Sequence, residues 1–249
     1  MTEIEILVDF HKDGERQGPG SQDETLKALS MLNLPKDNII EVADIGCGSG
    51  AQTIALAQNI KGHITAVDIF PEFLDKLETT AQKFKLSSKI TTIKQSMDNL
   101  YFDNGKFDLI WSEGAIYIIG FKEGIKYWNT FLKPGGYLAV SEISWLSEIR
   151  PKELDDYWNK NYYQIDTISN KIKVLEENGL IPLAHFVLPE YCWMEKYYLP
   201  NELRFCSFLE KYNHNKDVRN FVELEKEEIE FYKKYKSYFS YAFYLARKL

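Results

Sequence analysis

Cysteine is scarce in this chain of 249 residues, and its three cysteines, Cys47, Cys192 and Cys206, are widely separated. An odd and scattered set of cysteines does not form a disulfide framework. The four histidines also stand far apart, so no cysteine–histidine cluster has the spacing of a zinc site. We therefore expect a protein without disulfides and without a metal site.

Positive charge and long apolar runs are lacking as well. The 30 Lys and Arg residues are outnumbered by 37 Asp and Glu residues, which gives a net charge of −7. An acidic chain repels phosphate backbones, so a nucleic-acid partner is not expected. No apolar run approaches the roughly 18 residues of a membrane span, and the first residues lack a signal-peptide pattern. These absences predict a cytoplasmic protein without a membrane span.

Three regions follow one another along the chain. Residues 1–37 are polar and predict an N-terminal helical segment that acts as a lid, with Ser21 and Glu24 as a capping box. Residues 38–144 alternate short apolar runs with helix-length polar runs. The predicted strands are 39–44, 64–68, 90–94, 107–111 and 137–143, and the predicted helices are 51–60, 71–84 and 125–132. This alternation predicts an α/β fold with a doubly wound parallel sheet.

The alternation of short apolar runs and longer polar runs ends at residue 144. An aromatic stretch (145–163) precedes a predicted helix (169–178) and a predicted strand (183–188). Two helices are expected within 201–235, and a final strand at 237–245. The second of these helices carries Glu223, Glu225, Glu227 and Glu228 before a group of lysines, an order that suits the helix dipole and predicts a solvated face. We expect residues 38–249 to form one domain with a helical insertion at about 189–235, which either caps a pocket or buries a subunit interface.

A glycine loop is the strongest functional signal in the chain. Gly46, Gly48 and Gly50 lie between a predicted buried strand and a predicted helix, where a ligand must approach the backbone closely. Asp68 ends the next strand, about 20 residues further on, where a carboxylate can accept hydrogen bonds from ribose hydroxyls. Together they predict a nucleoside site at the carboxyl edge of the sheet.

Two nucleoside cofactors compete for this site. Gly46, Gly48 and Ala51 also satisfy the looser dinucleotide pattern, which would make the chain an NAD-dependent oxidoreductase. Asp44 favours the other cofactor, because a carboxylate beside the loop disfavours a pyrophosphate. S-adenosylmethionine has no phosphate and carries a sulfonium and an ammonium group, so an acidic loop fits it.

Four motifs then occur in the order found in class I S-adenosylmethionine-dependent methyltransferases. They are the loop 44–50, Asp68, the strand 107–110 and the turn 132–136. Over residues 38–144 the chain resembles this family, and most of all its small-molecule branch of ubiquinone and menaquinone methyltransferase relatives. The resemblance implies a Rossmann-like sheet of seven strands, the last of them antiparallel.

The resemblance also implies roles for individual residues. The glycine loop would face the methionine part of the cofactor, Asp68 the ribose and Ile69 the adenine. Ser96 stands where family members often have an aspartate for the adenine amino group, and the backbone N–H of Met97 would meet a ring nitrogen. The cofactor-binding residues expected in this way are Asp44, Gly46, Cys47, Gly48, Gly50, Asp68, Ile69, Ser96, Met97 and Ser112.

Methyl transfer needs alignment of the reacting groups more than a catalytic triad, and a base only for a nucleophile of high pKa. Glu113 follows the fourth strand and is the candidate catalytic residue, as a base or a ligand for a substrate amine. The alternative roles are holding the cofactor or capping a helix. Tyr117 is expected in the core, whereas 16–21 and 145–163 are expected to close over the site.

The predicted function is therefore methylation of a small-molecule acceptor by S-adenosylmethionine, with S-adenosylhomocysteine as product. Two alternatives stay open, a protein methyltransferase and a non-catalytic protein that binds S-adenosylmethionine. The expected partners are a small-molecule substrate and a second copy of the chain in a homodimer.

Overall fold

The computed structural model describes residues 1–35 and 37–249, so Lys36, within the predicted segment 1–37, lies outside the described residues. In this part of the chain, eight strands form a single sheet and alternate with helices along the sequence. The strands are β1 (Ile40–Ile45), β2 (Gly62–Asp68), β3 (Ile90–Lys94), β4 (Phe107–Glu113), β5 (Leu132–Trp145), β6 (Asp166–Thr167), β7 (Leu180–Val187) and β8 (Phe239–Lys248).

The helices surround this sheet and also precede it in sequence. They are α1 (Glu3–His11), α2 (Gln22–Ser30), α3 (Ala51–Asn59), α4 (Pro71–Lys83), α5 (Phe121–Trp128), α6 (Lys152–Asn161), α7 (Ile168–Glu177), α8 (Glu190–Trp193), α9 (Leu199–Lys211) and α10 (Lys216–Tyr235). Short 3₁₀ turns at Ile116–Ile118 and Asn129–Phe131, and a π turn at Met194–Tyr198, join some of them. In the described ranges, no helix has both the length and the hydropathy to cross a bilayer.

The order of the sheet is β3-β2-β1-β4-β5-β8-β7. The first five strands of this order pair in parallel, whereas β8 is antiparallel to both of its neighbours, β5 and β7. The predicted doubly wound sheet with an antiparallel last strand is thus confirmed. The two-residue strand β6 pairs with the end of β5 and adds a short eighth strand to the predicted seven.

The ends of several elements differ from the sequence prediction. Strand β3 has the predicted bounds, but α5 begins at Phe121 rather than at residue 125. Gly120 and Gly124 lower the helix propensity of this stretch. The sequence pattern therefore does not indicate that the helix begins at Phe121. Gly124 is required there, because a Cβ atom would lie 2.6 Å from Cγ1 of Ile116.

Apolar side chains alternate between the two faces of the central strands. In β4, Leu109 and Trp111 belong to the cluster that also contains residues of α1 to α4 and α8 to α10. Ile110 points to the opposite cluster, where Ile125 of α5 and Leu175 of α7 pack. Both faces of the parallel strands are covered by helices, so a ligand can reach the sheet only at the edge where the strands end.

The N-terminal helix packs on the helices that lie between β7 and β8. Phe10 of α1 stacks on Phe205 of α9 at 5.7 Å and meets Phe221 of α10 edge-on at 5.2 Å. Ser21 caps α2 as predicted, since its hydroxyl accepts a hydrogen bond from the backbone N–H of Glu24. The Glu24 side chain contacts Lys27 and Tyr191 instead of completing a capping box.

A buried ion pair joins α7 to β5. The Lys171 ammonium lies 3.1 Å from Oε1 of Glu142, and the two side chains are 2% and 0% exposed. The hydroxyl of Tyr162 donates to the same oxygen at 2.7 Å. Burial raises the pKa of Glu142 and lowers that of Lys171. Each partner therefore depends on the other to offset its loss of hydration.

We expect Lys171→Met to lower the free energy of unfolding by about 3–5 kcal/mol, because it leaves the Glu142 carboxylate buried without its cation. Chemical denaturation measures this change. Lys173→Met is the matched control on the same helix, since Lys173 is 70% exposed and 3.9 Å from Glu177. Equal stability of the two variants would show that the buried pair contributes no more than the exposed one.

Candidate functional site

Three neighbouring strands end at one edge of the sheet, and a loop leaves each of them there. β1 lies between β2 and β4 and is parallel to both. The glycine loop follows β1, and its first turn is fixed because the N–H groups of Gly46 and Cys47 both donate to the carbonyl of Val67 in β2. The carboxyl edge of a parallel sheet is where ligands bind in this class of fold.

The glycine loop packs closely against neighbouring elements. Gly46 has a φ of +72°, and a Cβ atom there would lie 2.4 Å from Cβ of Ala115. Gly48 has a φ of +54°, and its Cβ would lie 2.3 Å from Oε1 of Gln17. Both positions therefore favour glycine for backbone conformation, and Gly46 also for space.

Asp68 stands at the end of β2 with its carboxylate turned toward the glycine loop. One oxygen accepts the N–H of Gly48 at 2.9 Å, and the other accepts the N–H of Phe70 at 3.0 Å. Burial raises the pKa of this carboxyl group, against the lowering effect of the two N–H donors. Each carboxylate oxygen has a further lone pair, so Asp68 can still accept hydrogen bonds from a ligand.

Asp44 is fully buried at the end of β1. Its carboxylate accepts the hydroxyl of Thr53 at 2.5 Å and the amide of Gln52 at 3.4 Å, and so ties β1 to α3. Burial raises its pKa to about 7, and the negative charge of Glu113 adds to this rise. In the structure, Asp44 supports the glycine loop from behind.

A cavity of about 400 Å³, which we call the cleft, lies between the glycine loop, the end of β2, the loop after β3 and the N-terminal segment. Eight of the predicted site residues line it: Gly46, Cys47, Gly48, Asp68, Ile69, Ser96, Met97 and Glu113. Three others, Asp44, Gly50 and Ser112, lie outside its lining. Ser112 is fully buried, and its hydroxyl has no hydrogen-bond partner among the described residues.

Glu113 accepts three hydrogen bonds at the end of β4. Oε2 receives the guanidinium of Arg16 at 2.7 Å, and Oε1 receives Thr25 at 2.7 Å and the indole N–H of Trp111 at 2.9 Å. The Arg16 and Glu113 side chains are only 7% and 6% exposed. This ion pair fastens the N-terminal segment to the sheet beside the cleft.

Gln17, next to that arginine, contacts the glycine loop directly. Its carbonyl oxygen accepts the N–H of Ser49 at 2.7 Å, and its amide donates to the Ser49 hydroxyl at 3.0 Å. Gln17, Gly18 and Pro19 all line the cleft. The predicted lid segment thus covers the glycine loop in this structure, while its movement stays a prediction.

Several residues that line the cleft were not predicted from the sequence: Leu7, Phe70, Phe73, Gln95, Tyr197, Glu225 and Glu228. The charge run of α10 was expected to be a solvated face, which is wrong for Glu225 and Glu228. Both are half-buried, whereas Glu223 and Glu227 are exposed. The positions of Glu225 and Glu228 could have been inferred from the helical repeat. Residues 225 and 228 lie three or four residues from the buried Val222, Ile229 and Tyr232 and therefore share their face of the helix.

A second cavity, of about 290 Å³, adjoins the cleft and is lined by eleven aromatic residues. We call it the aromatic cavity. Tyr117, expected in the core, instead lines both cavities and is 40% exposed. In the described residues, no cluster of three or more His, Cys, Asp and Glu side chains could hold a metal ion.

Comparison with known proteins agrees with this geometry. Residues 42–136 match a family model described as a methyltransferase domain. That stretch runs from β1 into β5 and contains the glycine loop and Asp68. The chain therefore carries a methyltransferase domain on the class I methyltransferase fold, as its motifs predicted.

Similar proteins have varied activities. The carboxy-S-adenosyl-L-methionine synthase of Erwinia tasmaniensis is 26% identical over 163 residues, 59% of this chain and 65% of the relative. A sterol 24-C-methyltransferase of Gibberella zeae is 30% identical over 148 residues, 55% of this chain and 36% of the relative. The chain thus spans less than two thirds of the length of these relatives.

A solved structure has a similar fold over almost the whole chain. It is a SAM-dependent methyltransferase from Geobacter sulfurreducens in complex with S-adenosyl-L-homocysteine. The TM-score is 0.86 at 16% identity, with 98% of each chain covered. The likeness extends the shared fold beyond residues 42–136 to the N-terminal helices and the helices between β7 and β8.

We expect Glu113→Gln to loosen the N-terminal segment, because the buried Arg16 guanidinium loses its anionic partner. A hydrogen bond to a charged group contributes about 1.5–3 kcal/mol, so amide exchange of residues 14–21 should accelerate at least about tenfold. Hydrogen–deuterium exchange with mass spectrometry measures this. Glu123→Gln, at an exposed carboxylate on α5, is the control. Unchanged exchange in Glu113→Gln would show that the ion pair does not hold the segment.

Proposed function

We propose that this protein is a methyltransferase that transfers a methyl group from S-adenosylmethionine to a small-molecule acceptor. The observation that carries the proposal is the cleft, in which the glycine loop after β1 and Asp68 after β2 face one cavity within a methyltransferase domain. A cavity of about 400 Å³ falls in the size range of cofactor sites.

The residues around the cleft fit this cofactor. Asp68 retains acceptor capacity for ribose hydroxyls beyond its two backbone donors. Ile69 is 49% exposed beside it and, with Met97, gives an apolar surface for a purine. No Lys residue lines the cleft, and the one guanidinium there, Arg16, is paired with Glu113. The described lining therefore favours a ligand without phosphates over a dinucleotide.

S-adenosylmethionine supplies a methyl group already activated by the sulfonium charge. The protein's own part is to position the acceptor and to exclude water. The segment with Arg16, Gln17 and Pro19 forms one wall of the cleft. Glu113 faces the cleft but is occupied by three donors, so its role supported by the geometry is to hold that wall in place.

The proposed acceptor is a small molecule because the cavity beside the cleft is small. The aromatic cavity holds about 290 Å³ and shares the segment around Gly18 with the cleft. One relative supports this class of acceptor by its name, a sterol 24-C-methyltransferase.

The first test concerns the cofactor. We expect isothermal titration calorimetry to show binding of S-adenosylmethionine and S-adenosylhomocysteine and none of NADH. The physical reason is the lack of an unpaired cation in the cleft for a pyrophosphate. Binding of NADH without binding of S-adenosylhomocysteine would overturn the proposed function.

The second test concerns Asp68. Asp68→Ala removes an acceptor whose bonds to ribose hydroxyls contribute about 1.5–3 kcal/mol each, so the Kd for S-adenosylhomocysteine should rise at least about tenfold. Asp75→Ala, at an exposed carboxylate on the neighbouring helix α4, should leave the Kd unchanged. Circular dichroism checks that both variants fold. Equal affinity of the two variants would place the ribose elsewhere.

A further inference from the structure

The aromatic cavity has an unusual composition for a pocket of its size. Its lining includes seven tyrosines, two tryptophans and two phenylalanines, and among the lining residues Glu228 alone is ionisable at neutral pH. Lys, Arg and His are absent from the described lining. An anionic ligand would therefore meet a carboxylate and ring faces, both of which repel it.

The rings form a wall that is fixed by mutual stacking. Trp193 stacks between Tyr232, at 4.4 Å and 14°, and Tyr241, at 5.3 Å and 24°. Phe231 stacks on Tyr157 at 3.9 Å and 23°. These stacks connect the insertion helices, β8 and α6. The rings are thus held in fixed positions, which lowers the entropic cost of using their unstacked faces for binding.

Two carboxylates lie on the same face of α10 at this wall. Glu228 lines both cavities, and Glu225 lines the cleft. Oε1 of Glu228 accepts the hydroxyl of Tyr198 at 2.9 Å, and the described residues offer neither carboxylate an ion pair. Both acidic groups therefore face a cavity in which the Arg16 guanidinium is already paired with Glu113, so their charge is not balanced at close range.

Tyrosine hydroxyls add acceptors that no protein group uses. Tyr197 is 9% exposed and lines both cavities, and its hydroxyl has no hydrogen-bond partner among the described residues. The hydroxyls of Tyr117 and Tyr241 are likewise without a partner in the described part of the chain. A ligand with N–H donors would satisfy both these oxygens and the carboxylates.

We propose that the aromatic cavity binds the methyl acceptor, and that this acceptor is an amine recognised in its cationic form by ring faces and by Glu228. The proposal rests on the proposed function and specifies its substrate class. Ring faces attract a cation through the aromatic quadrupole, most strongly when the cation is desolvated. The aromatic cavity shares Gly114, Tyr117, Tyr197 and Glu228 with the cleft, so its occupant lies next to the cofactor site.

The raised pKa values of Glu225 and Glu228 agree with a site that takes a cationic ligand. Burial raises the pKa of Glu225 to about 8, and the neighbouring Glu228 adds to the rise while Arg204 opposes it. Burial also raises the pKa of Glu228, against the hydrogen bond from Tyr198. A bound ammonium group would favour the charged form of both side chains.

The reaction with such an acceptor balances without a further reactant. The amine must first lose its proton, which passes to a carboxylate of the cavity or to water. The nitrogen lone pair then forms the new carbon–nitrogen bond as the carbon–sulfur bond of the sulfonium breaks and sulfur retains the electron pair. The products are the N-methylated ammonium ion and S-adenosylhomocysteine.

The experiment compares a cation with its uncharged isostere. N,N-Dimethylethanolamine and isoamyl alcohol have nearly the same shape, and only the first is charged at neutral pH. Isovalerate serves as the anionic probe. Each is titrated by ligand-observed NMR into protein whose binding of S-adenosylhomocysteine has first been measured by calorimetry and then saturated. We expect the amine to bind at least about tenfold more tightly than the alcohol, and isovalerate not to bind.

Glu228→Gln keeps the size of the side chain and its ability to accept from Tyr198, and removes the charge. We expect it to reduce the preference for the amine to less than about threefold. Glu227→Gln, one residue earlier and exposed, should keep the full preference. A wild-type protein that binds the alcohol or isovalerate as tightly as the amine, or none of the probes, overturns the inference. So does full selectivity in Glu228→Gln. Failure to bind S-adenosylhomocysteine would instead overturn the proposed function.

Discussion

The ion pair between Arg16 and Glu113 determines how the two cavities are enclosed. Without it, the segment between α1 and α2 has few other contacts with the end of β4. With it, Gln17 reaches the glycine loop, and Gly18 and Pro19 become a wall common to both cavities. A charge pair this deeply buried is expensive to separate. The enclosure is consequently held by this ion pair together with the hydrogen bonds between Gln17 and Ser49 and the hydrophobic packing of α1.

The order of the sheet explains why the remaining groups meet. β1 has β2 on one side and β4 on the other, so the residues that follow these three strands lie next to one another. Asp68, the glycine loop and Glu113 are separated by many residues in sequence but share this edge. Antiparallel β8 then brings Tyr241 to the same region from the opposite direction.

Much of this arrangement could be predicted from the sequence, because strong local signals coincide with the strands. Apolar runs located β1 to β5, and the glycines with Asp68 located the cleft. The aromatic cavity could not be predicted in this way, since its walls come from α6, α8, α10 and β8, whose contacts depend on tertiary packing. Glu225 and Glu228 illustrate the difficulty, because a run of glutamates ahead of a group of lysines in one helix is typical of a solvated surface. A cytoplasmic location and a homodimer stay predictions.

The position of α8 to α10 bears on how proteins of this architecture can diverge. Their residues connect β7 to β8, two neighbouring antiparallel strands that a short hairpin would also join. The entropic cost of a longer connection grows slowly, by about 0.6 kcal/mol for each doubling of its length. This connection can therefore be lengthened, shortened or replaced during evolution while the strand pairing and the glycine loop stay intact. One wall of the aromatic cavity can thus change without disturbing the strands that carry the glycine loop.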